Sequence, residues 1–466
     1  MRGLLFILFV LPSWVNGQGI LSFKEYKQVV WDNHPLVKQA DIAVRRGESN
    51  ALRARGAFDP KIEATTANKK YNDKNYYNLQ GAQLKIPTPF ALEFKGTYDL
   101  NNGTYLDPSL NTSDQGLIAF GASLPLLQGL VFDERRAAKK LASAFSSYSS
   151  AEQQFIINDL LLNAYKMYWD WWANVEKEKL SKEIFDFTQQ RFNNMRDRAK
   201  LGLVADFDTL ESAIQKGVRQ QLWMEAQTNE IKSRYVLSTM LWTGDSLQQP
   251  LYIDPMTKPE VAILTSILTP RFENEFLSLL DSIPYTHPQL RIYQAKLEML
   301  ETEIKWKKEK IKPKLNIHYN ALTEPLGNGE FQNISTQNYK WGIDFAYPLL
   351  AREARGDMQM STLKRDELQF EIQQKTQELK NKAWTAFQTK SLVIEQINTA
   401  FANAQGYYAL LLGERIKFNQ GESSLFLLNQ REIQYAESQS KWIDLQLKMI
   451  NLHYEMIYAL GRLSDL

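Results

Sequence analysis

The chain has 466 residues, a formal net charge of +2 and no cysteine. The charge balance excludes a nucleic-acid surface, which needs clustered excess Lys and Arg. The lack of cysteine excludes disulfides, thiol catalysis, zinc–thiolate sites and a lipid-modified N-terminal cysteine.

Residues 1–17 read as a signal peptide: Arg2, the apolar run Leu4 to Leu11, the break at Pro12, and small residues at Val15-Asn16-Gly17. The mature chain is expected to begin near Gln18. The apolar run is shorter than the roughly 20 residues a spanning helix needs, and no later stretch qualifies. Export without a helical anchor is expected.

Residues 18–57 are predicted to be short helices, with His34-Pro35 opening a polar helical stretch that closes at Pro60. Residues 58–126 alternate as strands do and end in Pro125-Leu126-Leu127. Residues 127–245 form a long helix pair, with neither Pro nor Gly from Leu130 to Lys200 and a turn at Gly202 in GLVADFD. A connecting, equatorial segment follows at 246–286. The pattern then repeats. His287-Pro288 opens a short helix over 287–312, strands occupy 313–350 and end in Pro348-Leu349-Leu350, and a long helix pair fills 351–466 with its turn at Gly421 in GESSLF. Pro35 to Pro60 and Pro288 to Pro313 are both intervals of 25 residues, an internal duplication.

Unbroken runs of about 50 to 70 residues make helices of roughly 75 to 105 Å at 1.5 Å per residue, which need partners along their length. Leu428, Tyr435, Trp442, Met449 and Met456 recur every seventh residue, and Ala436, Ile443, Ile450 and Ile457 form a second row beside them. Two such rows predict a coiled-coil seam. Around Trp169, Trp171 and Trp172 the apolar coverage is broader, which predicts contact on more than one side.

The strand segments carry a different period. Trp341 to Tyr347, Leu315-Ile317-Tyr319 and Leu117-Ala119-Gly121-Ser123 alternate at period two between Asn/Gly/Asp-rich loops, as barrel strands do. Tyr76, Tyr77, Phe90, Phe94, Tyr98, Tyr339 and Trp341 are candidates for interfacial girdles. Two strands per repeat make about four per chain, too few to close a barrel. Three chains would supply about twelve.

With the doubled His-Pro openings, the strand ends SLPLLQG and FAYPLL, and the turns GLVADFD and GESSLFLL, the chain resembles the TolC-like outer-membrane efflux proteins over nearly its whole length after residue 17. The resemblance implies a mostly α fold with a β-barrel portion. Long coiled-coil helices build a periplasmic α-barrel, and strands contribute to a trimeric transmembrane β-barrel. It implies a homotrimer in the Gram-negative outer membrane, extending into the periplasm. It also implies a periplasmic adaptor as partner and, through it, an inner-membrane pump of RND, ABC or MFS type. The first strand segment, Pro60 to Pro125, departs from the repeat by being 30 residues longer than Pro313 to Pro348 (65 against 35). That leaves room for an extra hairpin around Ile86-Pro87-Thr88-Pro89 or for a long loop.

Gly202 and Gly421 suit turns that need positive φ. The resemblance makes these turns the tunnel's inner end, with Leu203, Val204, Ser423 and Leu425 as exposed adaptor-docking residues beside them. Asp206 and Asp208 suit a helix start, and the resemblance makes them, with Glu422, candidates for a gate constriction. His34 and His287 read as turn residues before proline, with no metal spacing. The remaining carboxylates, interleaved with Lys and Arg, read as solvated helix faces. No nucleophile, HExxH or phosphate-binding motif occurs, so neither catalysis nor a cofactor is expected. The alternative is a periplasmic coiled-coil adaptor or structural protein without a channel.

Overall fold

In the computed structural model the structure describes residues 19–244, 248–260, 275–325 and 337–465, so the signal-peptide reading lies outside the described residues. Local chemistry sets the joints of the duplication. Ser22 caps α1 (Phe23–Asn33): its hydroxyl accepts the Glu25 amide while Glu25 accepts the Ser22 amide, both at 3.1 Å. The helix stops at His34 (φ −65°, ψ 133°), because a residue before proline is driven out of the α region. Pro35 then starts α2 (Pro35–Arg55), where its missing N–H is harmless. Further along, α5 (Phe276–Thr286), an extended His287 (φ −67°, ψ 125°) and α6 (Pro288–Glu309) repeat the arrangement.

The long helices duplicate as closely. α3 (Glu134–Lys200) has 67 residues and α7 (Arg352–Gln420) has 69; their partners α4 (Asp206–Ser238) and α8 (Leu425–Ala459) have 33 and 35. Asp133 starts α3 by accepting the Arg136 amide at 2.8 Å. Among the described residues no helix is long and apolar enough to cross a membrane.

The chain divides into two compact units. One, Met1–Asp41, Gln154–His287 and Thr376–Leu466, is helical, with a small parallel pair of β1 (Ile20–Leu21) and β6 (Lys258–Pro259). Its apolar seam follows the heptad in most places: Leu428, Tyr435, Ile443, Met449, Ile450, Met456 and Ile457 are all at most 9% exposed, while Ala436 and Trp442 of the same two rows are half-buried. Trp169, Trp171 and Trp172 are buried as well, in a cluster with Phe23, Tyr168 and Tyr454. The Trp171 indole N–H donates to Glu230 at 3.2 Å, and the Tyr26 hydroxyl donates to the Ala164 carbonyl at 3.1 Å, so part of this aromatic mass keeps its polar atoms paired.

The other unit, Ile42–Gln153 and Pro288–Lys375, contains one antiparallel sheet. Its strands are β2 (Lys61–Tyr71), β3 (Lys74–Pro87), β4 (Glu93–Asn102), β5 (Leu117–Pro125), β7 (Lys314–Thr323) and β8 (Tyr339–Ala346), in the order β2-β3-β4-β5-β7-β8. The count corrects the expectation of four strands per chain. The longer first segment folds as two hairpins, and the extra turn falls at Thr88 to Leu92, where the Thr88 amide and hydroxyl both donate to the Leu92 carbonyl. The Pro-Leu-Leu ends also gain a reason. Past Pro125 the pairing of β5 with β7 continues, with the Leu126 amide donating to the Leu315 carbonyl at 2.7 Å, which joins the two halves of the duplication.

Candidate functional site

Residues directly opposed in an antiparallel ladder share a face, so the register sorts the sheet into two surfaces. One row runs Ile86, Phe94, Ala122, Tyr319, Trp341. A second runs Ile62, Leu84, Gly96, Phe120, Ala321, Tyr339, and a third Leu124, Ile317, Ile343. On this face Ile62, Phe94, Phe120, Tyr319, Trp341, Ile343 and Phe345 are all exposed, up to 81% at Ile62. Apolar surface this continuous on an ordered sheet marks contact with lipid or protein.

The other face is polar. Its rows are Glu63, Gln83, Thr97, Ala119, Leu322, then Glu93, Ser123, His318, Gly342, and Lys61, Lys85, Lys95, Gly121, Asn320, Lys340. Phe94, Tyr98, Tyr339 and Trp341 fall on the apolar face as girdle residues would, but Tyr77 stands opposite Lys69 on the polar one.

The two helix turns share one geometry. At the first, the Leu203 amide donates to the Arg198 carbonyl and the Gly202 amide to Ala199; at the second, Glu422 donates to Lys417 and Gly421 to Phe418. Both are Schellman caps, which need a left-handed residue, and Gly202 and Gly421 supply φ of 72° and 80°. A Cβ at either glycine would meet nothing within 4 Å, so the backbone angle and not packing demands glycine.

Of the predicted turn residues, Leu203 is exposed and Val204 half-buried, while Ser423 is half-buried and donates to Glu414. Leu425 is only 7% exposed, which overturns its reading as an exposed docking residue. It stands three residues before Leu428 and shares that residue's buried helix face; Phe426, at 72%, is the exposed neighbour. Asp206 and Asp208 lie within the first turn of α4, but neither is its cap, which is Ala205 and makes no side-chain bond. Asp206 and Glu422 are exposed and Asp208 is half-buried.

A charged cluster lies between the long helices. Glu432 of α8 is 1% exposed. It accepts from Arg191 Nη1 of α3 at 2.6 Å and from the Thr188 hydroxyl at 3.5 Å, while Arg191 Nη2 donates to Asn429 Oδ1 at 2.8 Å. Arg415 of α7 lies 3.9 Å from the same carboxylate, its guanidinium 3.7 Å from the centre of the Phe187 ring. Arg219 of α4, 6% exposed, is influenced by the same pair. Burial pushes its pKa down most; Glu432 opposes that shift and Arg191 adds to it. Three of the four long helices thus meet at one carboxylate, and α4 brings the Arg219 guanidinium within its electrostatic reach. This corrects the reading of the carboxylates as uniformly solvated. The available signal was spacing: Leu428, Glu432 and Tyr435 stand four and three apart, which puts Glu432 on the apolar seam.

His453 of α8 has its pKa lowered to about 4, first by burial and then by Lys390. The folded value lies below the unfolded value of about 6.5. Between those pH values the unfolded chain therefore binds more protons, and this contribution to stability is complete above pH 6.5 and lost as the pH falls through the window. His453→Gln is expected to remove on the order of 2 kcal/mol of the acid-induced loss. Thermal unfolding of both proteins at pH 7.5 and pH 4.5 checks this; an identical drop in the two would refute it.

No protein-family model and no curated protein matches the sequence. Solved structures do. The CmeC outer membrane channel of Campylobacter jejuni matches with a TM-score of 0.67 at 12% identity, covering 94% of this chain and 85% of that one. The outer membrane protein VceC of Vibrio cholerae gives 0.67 at 12%, covering 94% and 95%. The MtrE outer membrane channel of Neisseria gonorrhoeae, in its open state, gives 0.65 at 11%, covering 94% and 88%. The chain has the fold of these outer-membrane channels, the fold that the TolC-like resemblance implied.

Proposed function

We propose that the chain is a TolC-like outer-membrane exit duct: a passive, trimeric channel that carries small molecules or proteins out of the cell in a tripartite efflux or type I secretion system. In this reading residues 58–126 and 313–350 sit in the outer membrane, the helices at 127–245 and 351–466 build the periplasmic duct, and 246–286 is the connecting segment. A periplasmic adaptor docks at the turns around Gly202, Leu203, Val204, Gly421 and Ser423. An inner-membrane pump supplies the energy. Asp206, Asp208 and Glu422 are the gate candidates.

The two-faced sheet carries the proposal. An apolar face against lipid leaves the polar face for water, but an open sheet in lipid has unpaired edges that cost several kcal/mol per group. The edges here are β2 and β8. β2 leaves the α2 end of the sheet and β8 returns toward α7, so β8 of one copy and β2 of the next run antiparallel and can pair. With six strands in the sheet among the described residues, three copies supply eighteen, in the range that encloses an aqueous channel. That replaces the twelve expected from four strands per chain.

The test is extraction and conductance. Membranes of cells expressing the full chain should release it only with detergent, as a heat-dissociable trimer, and the purified protein should form pores in planar bilayers. A monomer soluble without detergent would favour the adaptor reading. Within the same assay Asp208→Ala is expected to raise single-channel conductance or weaken cation preference. Unchanged recordings would remove Asp208 from the gate.

A further inference from the structure

The polar face of the sheet carries a row that a soluble sheet would avoid. Lys61, Lys85 and Lys95 are directly opposed on three neighbouring strands, and the same row continues through Gly121 and Asn320 to Lys340. Like charges directly opposed across strands are destabilising, and no acid stands anywhere on the row. Glu63, one row away, engages Lys85 at 2.8 Å and attracts Lys61 and Lys95 more weakly, so one acid serves three lysines. Lys61, Lys95 and Lys340 make no ion pair among the described residues. The face's other acids stand elsewhere. Glu93 is held by Arg135 at 2.8 Å, Asp344 lies 3.4 Å from His318, and Asp99 is opposite Gly81.

We propose that this row makes the membrane-embedded part of the channel an attractor for multivalent oxyanions, solutes bearing two or more carboxylate, sulfate or phosphate groups. The inference rests on the channel reading, which turns this face to the lumen. Threefold assembly repeats the row, and a lysine-lined wall in a pore draws anions as a focused field does. Glu63 offsets part of the repulsion among the opposed lysines, and transient anions offset the rest. A solute with several negative groups spans two or more lysines at once, which a chloride ion cannot do.

The experiment is block of single-channel current by inorganic tripolyphosphate, applied to the purified full chain in planar bilayers at about 0.1 M salt, where the screening length is near 10 Å. Wild-type channels are expected to show concentration-dependent block that fades at 1 M salt. The variant Lys61→Gln/Lys85→Gln/Lys95→Gln should need about tenfold more tripolyphosphate or higher, and Lys→Arg at the same three positions should restore the block. The single changes K61Q and K95Q break no ion pair and keep the comparison available if the triple variant fails to insert; each should weaken block by a smaller factor. Conducting wild-type channels that tripolyphosphate leaves untouched, or equal block of wild type and Gln variants, would overturn the role of the lysines and leave the channel standing. Membrane-inserted protein with no conductance would overturn the channel reading and this inference with it.

Discussion

Glu432→Ala is expected to loosen the long helices around α8 more than any other single truncation in the helical unit. The carboxylate is 1% exposed and accepts from Arg191 at 2.6 Å, with Arg415 3.9 Å away and Arg219 buried under its influence. Removing it leaves these guanidiniums in a site where burial already opposes the charge on Arg219 and Arg415. Breaking one side of a buried pair costs about 3–5 kcal/mol, because the surviving charge stays uncompensated. Hydrogen exchange measures this locally, without requiring two-state unfolding of a chain this long. Amides of residues 185–195 and 428–436 should exchange at least about a hundredfold faster in the variant, at 1.36 kcal/mol per tenfold. Glu432→Gln, which keeps an acceptor for Arg191 but no charge, should fall between. Exchange unchanged within threefold would mean the cluster contributes no net stability. In the channel assay the same variant is expected to raise conductance, since the helices it joins are those ending at the Gly202 and Gly421 turns.

Much of the fold was legible because it is written in local chemistry. His-Pro pairs end and restart helices by steric exclusion before proline, and both did so at His34 and His287. The two glycine turns needed positive φ, and the period-seven rows needed burial; neither requirement depends on distant sequence. What was not legible depends on partners far away in the chain. The strand count exceeds the expected four because the 30 extra residues between Pro60 and Pro125 fold as a further hairpin, one of the two alternatives their length left open, and the choice is fixed only by the pairing of β3 with β4 across Thr88 to Leu92. Tyr77 has the residue type of a girdle residue, but its place opposite Lys69 puts it on the polar side. Leu425 and Glu432 failed in opposite directions for one reason. Exposure along a long helix is set by the neighbouring helices, and residue type alone assigned the leucine outward and the glutamate to water.

A pair of adjacent substitutions separates the two faces of the sheet most sharply. Phe120 is 48% exposed on the apolar face, between Gly96 and Ala321. Ala119, one residue earlier on β5, stands between Thr97 and Leu322 on the polar face. Because side chains alternate along a strand, Phe120→Arg turns a guanidinium toward lipid and Ala119→Arg turns it toward water. On the lipid face of a barrel, arginine costs about 2–4 kcal/mol at the bilayer midplane, whereas lumen positions tolerate it. Three copies multiply the penalty in the assembled ring. Phe120→Arg is therefore expected to abolish trimer recovery from the outer membrane. Ala119→Arg should assemble near wild-type yield and shift ion preference toward anions, adding to the lysine row. Heat-modifiable trimer on gels, with both variants expressed at matched levels, reads the outcome. The reverse result, loss with Ala119→Arg and normal trimer with Phe120→Arg, would mean that the aromatic face is turned inward and that the assignment of lipid and water to the two surfaces is inverted. Equal assembly of both would mean that neither surface meets lipid at this level of β5, and the sheet would belong to a watery domain.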